Sequence, residues 1–362
     1  MYIDRAQLHN FRNYREESFE FDRGLNLIVG ENAQGKTNLI ESLYLCALGK
    51  SFRTARDRDL IRFKEQYCRV VCQYERDGEE DSIEVALARD GRKSIKVGGI
   101  SLRRTTDLLD HLLVVIFSPE DLKIVKEDPS RRRNFLDREL SQLRRSYVHH
   151  LKLYQRVLSQ RNAYLKEHED DCDGLFIWDE KLVEFGTVLM EERDRFLERL
   201  SAISGRIHDS ITAGREQLTL IYRPNIRRDP EHQKEVIAAA LEKGRDSDFF
   251  NGSTGRGPHK DDFEVVINDV NARNYGSQGQ QRTAALSLKL AEIALLREEK
   301  EEAPVLLLDD VLSELDPQRQ QYLIRALESV QLFITTTEIT DEMMEALPDG
   351  KVIRIADGRQ AD

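Results

Sequence analysis

The stretch GENAQGKT at residues 30–37 constrains the fold of this chain more than any other part of its sequence. It follows the apolar run LNLIVG and precedes residues with helical spacing that stop at Gly49, so it lies between a buried strand and a helix. A GxxxxGK[ST] loop in this context wraps nucleotide phosphates with backbone N–H groups. We expect Lys36 to neutralise the outer phosphates and the Thr37 hydroxyl to ligate Mg²⁺.

A second motif, VLLLDD at 305–310, has the pattern of the other half of such a site. Its apolar residues predict a central strand whose carboxylates lie at the edge where α/β sheets bind ligands. Asp309 is expected to hold Mg²⁺ through water, and Asp310 lies where a base could polarise the attacking water. Adjacent acidic residues can also cap a helix. This alternative suits Asp316, which precedes Pro317, and suits Asp309 poorly.

The stretch NYGSQGQQRTAALSLKLAE at 274–292 places two glycines before an amphipathic helix. Taken alone, Gly276 and Gly279 with Ser277 between them indicate only a turn. We call this second glycine turn the signature turn (276–280). One nucleotide site already has its loop, metal ligands and base, so the signature turn is not needed for the site of its own molecule. A phosphate loop, a long insertion, this turn and an acidic strand, in that order, are the plan of the ABC-type ATPases. In those proteins the signature turn completes the nucleotide site of the opposite subunit.

The distribution of charge favours a nucleic-acid partner, although the net charge is −11. Local patches decide such binding more than the total charge does. Six basic residues lie in KSFRTARDRDLIRFK at 50–64, and a second cluster has RRR at 131–133 followed by Arg138, Arg144 and Arg145. A solvated surface is the alternative explanation for each patch.

Neither a membrane span nor a secretory signal is expected. No apolar run approaches the roughly 20 residues of a span, and MYIDRAQLHNF lacks the pattern of a leader. The cysteines lack CxxC spacing, which disfavours a zinc site and indicates a reduced, cytoplasmic protein. They are Cys46, Cys68, Cys72 and Cys172.

The middle of the chain has helical periodicity. Apolar residues recur three or four apart in two series, from Leu136 to Leu165 and from Trp178 to Ile207. They predict an antiparallel pair of helices, each roughly 45 Å long, around the acidic loop EHEDDCDG. A compact bundle and a protruding coiled coil both fit this pattern.

The remaining segments alternate between strands and helices. Strands are expected in the first 30 residues, at 67–101 with turns at the two DG pairs, and at LTLIYRP, FEVVIND and QLFITTT. Helices are expected from Pro230, from Gln280 to about Glu299 and from about Asp316 to Val330. We expect an α/β head with mixed β-sheets and flanking helices, formed by 1–118 and 246–362 and interrupted by an α-helical arm at 119–245.

Along its whole length the sequence resembles the RecF proteins of bacterial recombinational repair. The motifs that carry the resemblance are FRNY at 11–14, GENAQGKTN at 30–38, GKSFR at 49–53, FSPEDLKIVKEDPSRRRNFLD at 117–137, GPHKDD at 257–262, YGSQGQQRTAALSLKLAE at 275–292 and LLLDDVLSELD at 306–316. The motifs that begin at 117 and 257 are specific to that family rather than shared by all ABC-type ATPases.

The resemblance implies a head similar to those of Rad50 and SMC proteins, with a short helical arm in place of a long coiled coil. It also implies an ATP-dependent homodimer that closes on gapped duplexes and on junctions between single-stranded and double-stranded DNA. Members of the family work with RecO and RecR to load RecA, promote SOS induction, and are weak, DNA-stimulated ATPases.

The resemblance also implies roles for individual residues. In the phosphate loop, Gly30, Glu31, Asn32, Ala33, Gln34, Gly35, Lys36, Thr37 and Asn38 carry over to the nucleotide, and Arg12 carries over to its phosphates. Thr37 and Asp309 carry over to the metal. Ser277, Gly279 and Gln280 carry over to the contact with the γ-phosphate bound by the other subunit.

Two positions depart from the wider ABC pattern. Asp310 stands where transporters and SMC proteins have glutamate, and its shorter side chain suits a slow switch rather than a motor. No histidine follows the last strand, where FITTTE stands, so Thr336 or Thr337 is the candidate for that role. A transporter-type ATPase is the alternative function, which the basic segments and the helical arm disfavour. A small-molecule kinase would leave the signature turn unexplained.

Overall fold

The computed structural model describes residues 1–168, 173–326, 330–339, 347 and 349–361. The strands are β1 (Tyr2–Phe11), β2 (Tyr14–Glu20), β3 (Leu25–Val29), β4 (Tyr67–Arg76), β5 (Glu79–Ala88), β6 (Lys93–Val97), β7 (Ile100–Ser101), β8 (Val114–Phe117), β9 (Leu218–Arg223), β10 (Asp262–Ile267), β11 (Val270–Asn271), β12 (Val305–Leu308), β13 (Leu332–Thr336), β14 (Gly350–Ala356) and β15 (Arg359–Ala361). The helices are α1 (Lys36–Leu48), α2 (Pro129–Leu143), α3 (Arg145–Glu167), α4 (Phe176–Thr212), α5 (Gln233–Asn251), α6 (Ala272–Tyr275), α7 (Gln278–Lys300) and α8 (Pro317–Ala326).

The chain divides into two compact units. The first comprises Met1–Asp121 with Leu296–Asp362, and the second comprises Leu122–Leu295. Residues 246–295, which the sequence analysis assigns to the head, therefore fall in the second unit, because β10 pairs with β9 and α4 contacts both β9 and α5. The assignment of a head and an arm to particular residues stays a prediction.

The first unit contains two six-stranded sheets. One is antiparallel, in the order β2-β1-β4-β5-β6-β7. The other has the order β15-β14-β3-β13-β12-β8, in which all neighbours except β14 and β15 are parallel. The expected parallel sheet is confirmed, whereas β14 and β15, which extend it beyond β3, were not anticipated.

Helix α1 is buried on nearly all sides. It contacts β1, β4 and β5 of the antiparallel sheet and β8 and β13 of the parallel sheet. A helix covered on both sides carries apolar residues around its whole circumference, which explains the run LIESLYLCAL. The expected bounds, from Lys36 to Leu48 with a stop at Gly49, are confirmed.

The parallel sheet also sets the positions of the site residues. In its order, β13 lies between β3 and β12, and the carboxyl ends of parallel strands meet at one edge. The phosphate loop after β3, the threonines at the end of β13 and the aspartates after β12 therefore lie together.

The second unit contains the antiparallel helices that the periodicity predicts. The rings of Tyr164 of α3 and Trp178 of α4 are in tilted contact, with centroids 4.8 Å apart. At the other end of α3, Arg193 of α4 donates to the hydroxyl of Tyr147 over 3.0 Å. The two helices therefore run in opposite directions.

The predicted lengths of these helices were wrong. The first apolar series spans two helices, because Arg144 is extended (φ −138°, ψ 112°) and separates α2 from α3. The 23 residues of α3 give about 35 Å, and the 37 residues of α4 give about 55 Å. One extended residue leaves the spacing of apolar residues almost unchanged, so the periodicity could not reveal it.

Other predictions differ from the structure by a few residues or lie beyond it. The helix expected from Pro230 begins at Gln233. Half of the acidic loop, residues 169–172 with Cys172, and residues 327–329 of the helix expected to reach Val330 lie outside the described residues. The backbone N–H of Arg319 donates to Asp316 Oδ1 over 3.1 Å, which confirms Asp316 as the cap of α8.

Candidate nucleotide site

The phosphate loop is closed by its own lysine. Lys36 is 4% exposed, and its Nζ donates to the carbonyl oxygens of Gly30 at 2.7 Å and Glu31 at 3.0 Å. The loop is also tied to β13, because the N–H of Gly30 donates to Thr336 O over 3.3 Å. The ammonium group thus lies over the loop backbone, where the motif predicts that phosphate oxygens bind.

Thr37 and Asp309, the two predicted metal ligands, are in direct contact. Thr37 Oγ1 donates to Asp309 Oδ1 over 2.8 Å. Neighbouring oxygen ligands in an octahedral Mg²⁺ shell, with bonds of about 2.1 Å, lie about 3 Å apart. A water ligand beside the Thr37 hydroxyl would therefore lie within hydrogen-bonding reach of the Asp309 carboxylate, which fits a Mg²⁺ ion bound by Thr37 directly and by Asp309 through water. Burial raises the pKa of Asp309, and the hydrogen bonds from Thr37 and Thr335 oppose this shift.

The threonine that contacts both aspartates is Thr335, which the sequence analysis did not name. Its Oγ1 donates to Asp309 Oδ1 over 3.0 Å and accepts from the backbone N–H of Asp310 over 2.8 Å. The sequence analysis named Thr336 or Thr337 instead; Thr336 donates to Glu338 O over 2.8 Å, and Thr337 is exposed. Only the sheet order, which places β13 beside β12, could have identified Thr335.

Asp310 has a left-handed backbone conformation, with φ of 51°. Asp tolerates this region better than most residues, at a cost of about 1 kcal/mol. The turn is fixed by the bond from its N–H to Thr335 and by a 2.8 Å bond from Ser313 Oγ to its carbonyl oxygen. The backbone of Asp310, the candidate base, is therefore fixed at the point from which its side chain extends.

The outer side of the loop contacts two distant parts of the chain. Asn13 Nδ2 donates to Gln34 O over 2.8 Å, and Tyr14 OH donates to Gly35 O over 2.9 Å. From the turn between β14 and β15, the N–H of Gly358 also donates to Gln34 O, over 3.0 Å. The motif FRNY was a signal for the contacts of Asn13 and Tyr14 with the loop, but nothing in the sequence indicated the contact of Gly358.

Beside the loop lies a cleft of about 980 Å³, which we call the arginine cleft. It is lined by Arg12, Asn13, Ala33, Asn38, Arg53, Arg58, Asp59, Ile61, Arg62, Phe63, Arg89 and Asp357. Phe63 is 82% exposed. Five arginines against two aspartates give the lining an excess of positive charge, which the pairing of Arg12 and Arg53 with the buried Glu41 reduces.

Glu41 of α1, which the sequence analysis did not name, orients the arginine predicted to contact phosphate. Arg12 donates through Nε and Nη2 to the two oxygens of Glu41, both over 2.8 Å, and the Glu41 side chain is fully buried. A bidentate pair of this kind fixes the plane of the guanidinium group. The helical periodicity of α1 does not distinguish Glu41 from the apolar residues around it.

The signature turn lies in the second unit. The N–H of Gln280 donates to Ser277 Oγ over 3.2 Å, and the N–H of Ser277 donates to Gln280 Oε1 over 2.9 Å. These reciprocal bonds form a capping box at the start of α7. Gly279 lies inside the first turn of the helix, which begins at Gln278 rather than at the expected Gln280. At Gly276 a side chain is excluded, since a Cβ would lie 2.6 Å from Ala272 O.

Comparisons with known proteins agree with this arrangement. The family model described as "RecF/RecN/SMC N terminal domain" matches residues 2–361. The DNA replication and repair protein RecF of Clostridium tetani is 41% identical over 99% of this chain and 99% of its own length. That of Alkaliphilus oremlandii is 44% identical over 97% of this chain and 96% of its own.

The chain belongs to the RecF family. Membership assigns it to DNA replication and repair. A solved RecF, described as the recombination mediator protein RecF-ATPrS in the RecFOR pathway, superimposes with a TM-score of 0.92 at 40% identity and covers 99% of this chain and 97% of that one.

Solved structures with lower sequence identity to this RecF-family chain give information about its fold only. An SMC head bound to the C-terminal winged-helix domain of ScpA has a TM-score of 0.58 at 19% identity, over 99% of this chain and 96% of that one. The chain has the fold of an ABC-type ATPase head, with mixed sheets, flanking helices and helical segments. Among the described helices, none has the length and apolar character needed to cross a membrane.

Proposed function

We propose that this chain binds ATP with Mg²⁺ and, as an ATP-induced homodimer, closes on DNA during recombinational repair and replication-fork recovery. The observation that carries the proposal is the contact between Thr37 and Asp309 beneath a phosphate loop closed by Lys36. Solved relatives described as RecF-ATP and RecF-ATPrS support the choice of nucleotide.

Within one subunit, the loop from Gly30 to Asn38 surrounds the phosphates and Lys36 neutralises the outer ones. Thr37 would ligate Mg²⁺ directly and Asp309 would hold it through water, and the ion would supply charge neutralisation at the transferred phosphate. Arg12, oriented by Glu41, reaches the phosphates from the arginine cleft. Asp310 orients the attacking water, and its short side chain favours slow hydrolysis, as expected of a weak, DNA-stimulated ATPase.

Between subunits, Ser277, Gly279 and Gln280 contact the γ-phosphate bound by the partner. The bond from Gln280 uses the Ser277 oxygen as an acceptor, so the hydroxyl hydrogen can donate to a phosphate oxygen. ATP then joins the two subunits, and hydrolysis releases DNA.

The DNA partner is a gapped duplex or a junction between single-stranded and double-stranded DNA. Family membership supports this proposal, as do the basic residues at 50–64, several of which line the arginine cleft. We further propose that RecO and RecR are partners in loading RecA and in SOS induction. The solved relative, a recombination mediator of the RecFOR pathway, supports this choice of partners. A protein that acts on DNA with these partners is expected in the cytoplasm.

Substitutions in the two predicted halves of the site test this proposal. Lys36→Arg should retain part of the ATP affinity and stall turnover, because a larger cation fits the loop less well. Ser277→Arg should abolish ATP-dependent dimerisation in analytical ultracentrifugation while monomers still bind ATP. The control is Ser159→Arg, which adds the same charge on an exposed position of α3. ATP dimers that survive Ser277→Arg would refute the contact across the dimer.

DNA binding across a salt series separates the repair function from a transporter-type ATPase. A clamp that replaces counterions on DNA should show affinity that falls steeply with salt and rises with ATP. A transporter subunit should show neither dependence. Weak DNA binding that is insensitive to ATP would count against the clamp.

A further inference from the structure

The signature turn is connected to the long helix α4 through the carboxylate of Glu216. Glu216 follows α4 and precedes β9. Its Oε1 accepts from Gln280 Nε2 over 3.0 Å, and its Oε2 lies 3.1 Å from His208 Nε2. The carboxylate therefore bridges the last turn of α4 and the first turn of α7.

This contact fixes the orientation of the Gln280 amide group. Its Oε1 accepts from the N–H of Ser277, so its Nε2 must point the other way and requires an acceptor there. Glu216 supplies that acceptor. With the amide reversed, a donor would face the N–H of Ser277 and the amide oxygen would face the carboxylate, so both contacts would be lost.

The carboxylate is itself held in place. His208 is fully buried, and its Nδ1 lies 3.2 Å from Ser287 Oγ, two turns along α7 from Gln280. On the following residue, the N–H of Gln217 donates to Asn268 Oδ1 over 2.8 Å. Two contacts between α4 and α7, one direct and one through Glu216, thus define where the signature turn lies relative to the end of α4.

We propose that Glu216 is a positioning residue for the nucleotide contact across the dimer: it holds Gln280, and through the capping box Ser277, in the orientation that meets the partner's γ-phosphate. This inference rests on the proposed function. Because His208 lies near the end of α4 and Glu216 lies in the segment that follows it, a movement of that helix is transmitted to the signature turn. Glu216 touches neither nucleotide nor metal and acts only through Gln280.

The test is the dissociation constant of the dimer formed with a non-hydrolysable ATP analogue, measured by sedimentation. Glu216→Ala should raise it about tenfold, the value of a hydrogen bond to a charged acceptor. ATP affinity of the monomer and the melting temperature should match those of Glu264→Ala. That control removes a carboxylate of β10 that pairs with Arg223 at the surface of the same unit.

A double-mutant cycle separates positioning from general stabilisation. If Glu216 acts through Gln280, the variant carrying both Glu216→Ala and Gln280→Ala should dimerise no more weakly than Gln280→Ala alone. Losses that add, or a dimer of normal strength in Glu216→Ala, would overturn the inference. If wild-type protein fails to dimerise with the analogue, the proposed function itself fails, a result distinct from either.

A second variant covers the case in which Glu216→Ala does not fold. Glu216→Gln keeps the shape of the side chain but removes its charge, so the bond from Gln280 Nε2 is no longer charge-assisted. It should fold normally and raise the dimer dissociation constant several-fold. A folded Glu216→Gln protein that dimerises like wild type would refute the role of the carboxylate.

Discussion

The GPHKDD motif contains a histidine held in its neutral form. His259 Nδ1 lies 2.7 Å from Tyr154 OH, and its Nε2 lies 2.9 Å from Thr254 O. A carbonyl can only accept, so Nε2 carries the hydrogen and Nδ1 accepts from the tyrosine. Burial lowers the pKa of His259 to about 4, and the nearby Lys260 and Arg133 contribute to the lowering.

This histidine makes the stability of the protein depend on pH. The folded-state pKa is below the unfolded value of about 6.5, so between about pH 6.5 and pH 4 the unfolded chain binds more protons. The contribution of His259 is complete above pH 6.5 and is lost as pH falls through that window. From about pH 7 to pH 5, wild type should lose about 2 kcal/mol more free energy of unfolding than His259→Gln, measured with urea.

The matched control is His232→Gln, which alters a histidine whose side chain is 66% exposed. It should lose stability with falling pH as wild type does. Asp261, whose pKa is raised by burial, is present in all three proteins, so the differences isolate His259. Parallel curves for wild type and His259→Gln would contradict the assignment.

At the residue scale, sequence reasoning named side chains whose chemistry requires a fixed spacing, and their roles stay predictions. Lys36, Thr37 and Asp309 are identified by the loop motif and by the end of an apolar strand, and the structure brings them together. It missed Thr335 and Glu41, because threonine and glutamate are common and only the sheet order and the burial of α1 give these two a role.

Among the elements of the second unit, α3, α4 and α5 meet around a buried arginine. Arg161 of α3 is fully buried; it donates to Asp179 Oδ1 of α4 over 2.8 Å and to Asp248 Oδ2 of α5 over 2.7 Å. Such a charge is stable in the interior only because its partners compensate for the loss of water.

Removal of that arginine should be costly. Arg161→Met leaves the buried carboxylate of Asp248 without its guanidinium partner and should lower the free energy of unfolding by about 3–5 kcal/mol in urea titrations. Arg195→Met, on the exposed face of α4, should cost less than about 0.5 kcal/mol, because its pairs with Glu191 and Glu192 are exposed to solvent. Equal effects of the two substitutions would show that the buried ion pairs do not join the helices.

At the element scale, apolar periodicity predicted most helices and strands but not where they break. It placed α1, β12 and the antiparallel pairing of α3 with α4 correctly, because burial on a face or on all sides leaves a regular pattern. It missed the break at Arg144, which one extended residue causes, and it missed β14. The pairing of β14 with β3 joins residues more than 300 positions apart, and no local pattern encodes it.

Across the whole molecule, the phosphate loop is held by both ends of the chain. Gln34 O accepts from Asn13 near the N-terminus and from Gly358 near the C-terminus. The residue at 358 has φ of 67°, and a Cβ there would lie 2.8 Å from Asn13 O. A side chain at this position must therefore displace Asn13, and Asn13 contacts the loop.

We therefore expect Gly358→Ala to weaken ATP binding by the monomer several-fold, measured by isothermal titration, because the loop loses two of its outer hydrogen bonds. The control is Gly91→Ala. That residue also has a positive φ, 90°, so the backbone strain of about 1 kcal/mol is matched, but nothing lies within 4 Å of the added Cβ. Gly91→Ala should lower stability slightly and leave ATP affinity unchanged. Equal ATP affinities of Gly358→Ala and Gly91→Ala would mean that the turn at Gly358 does not support the phosphate loop. The substitution at 358 would then act only through backbone strain.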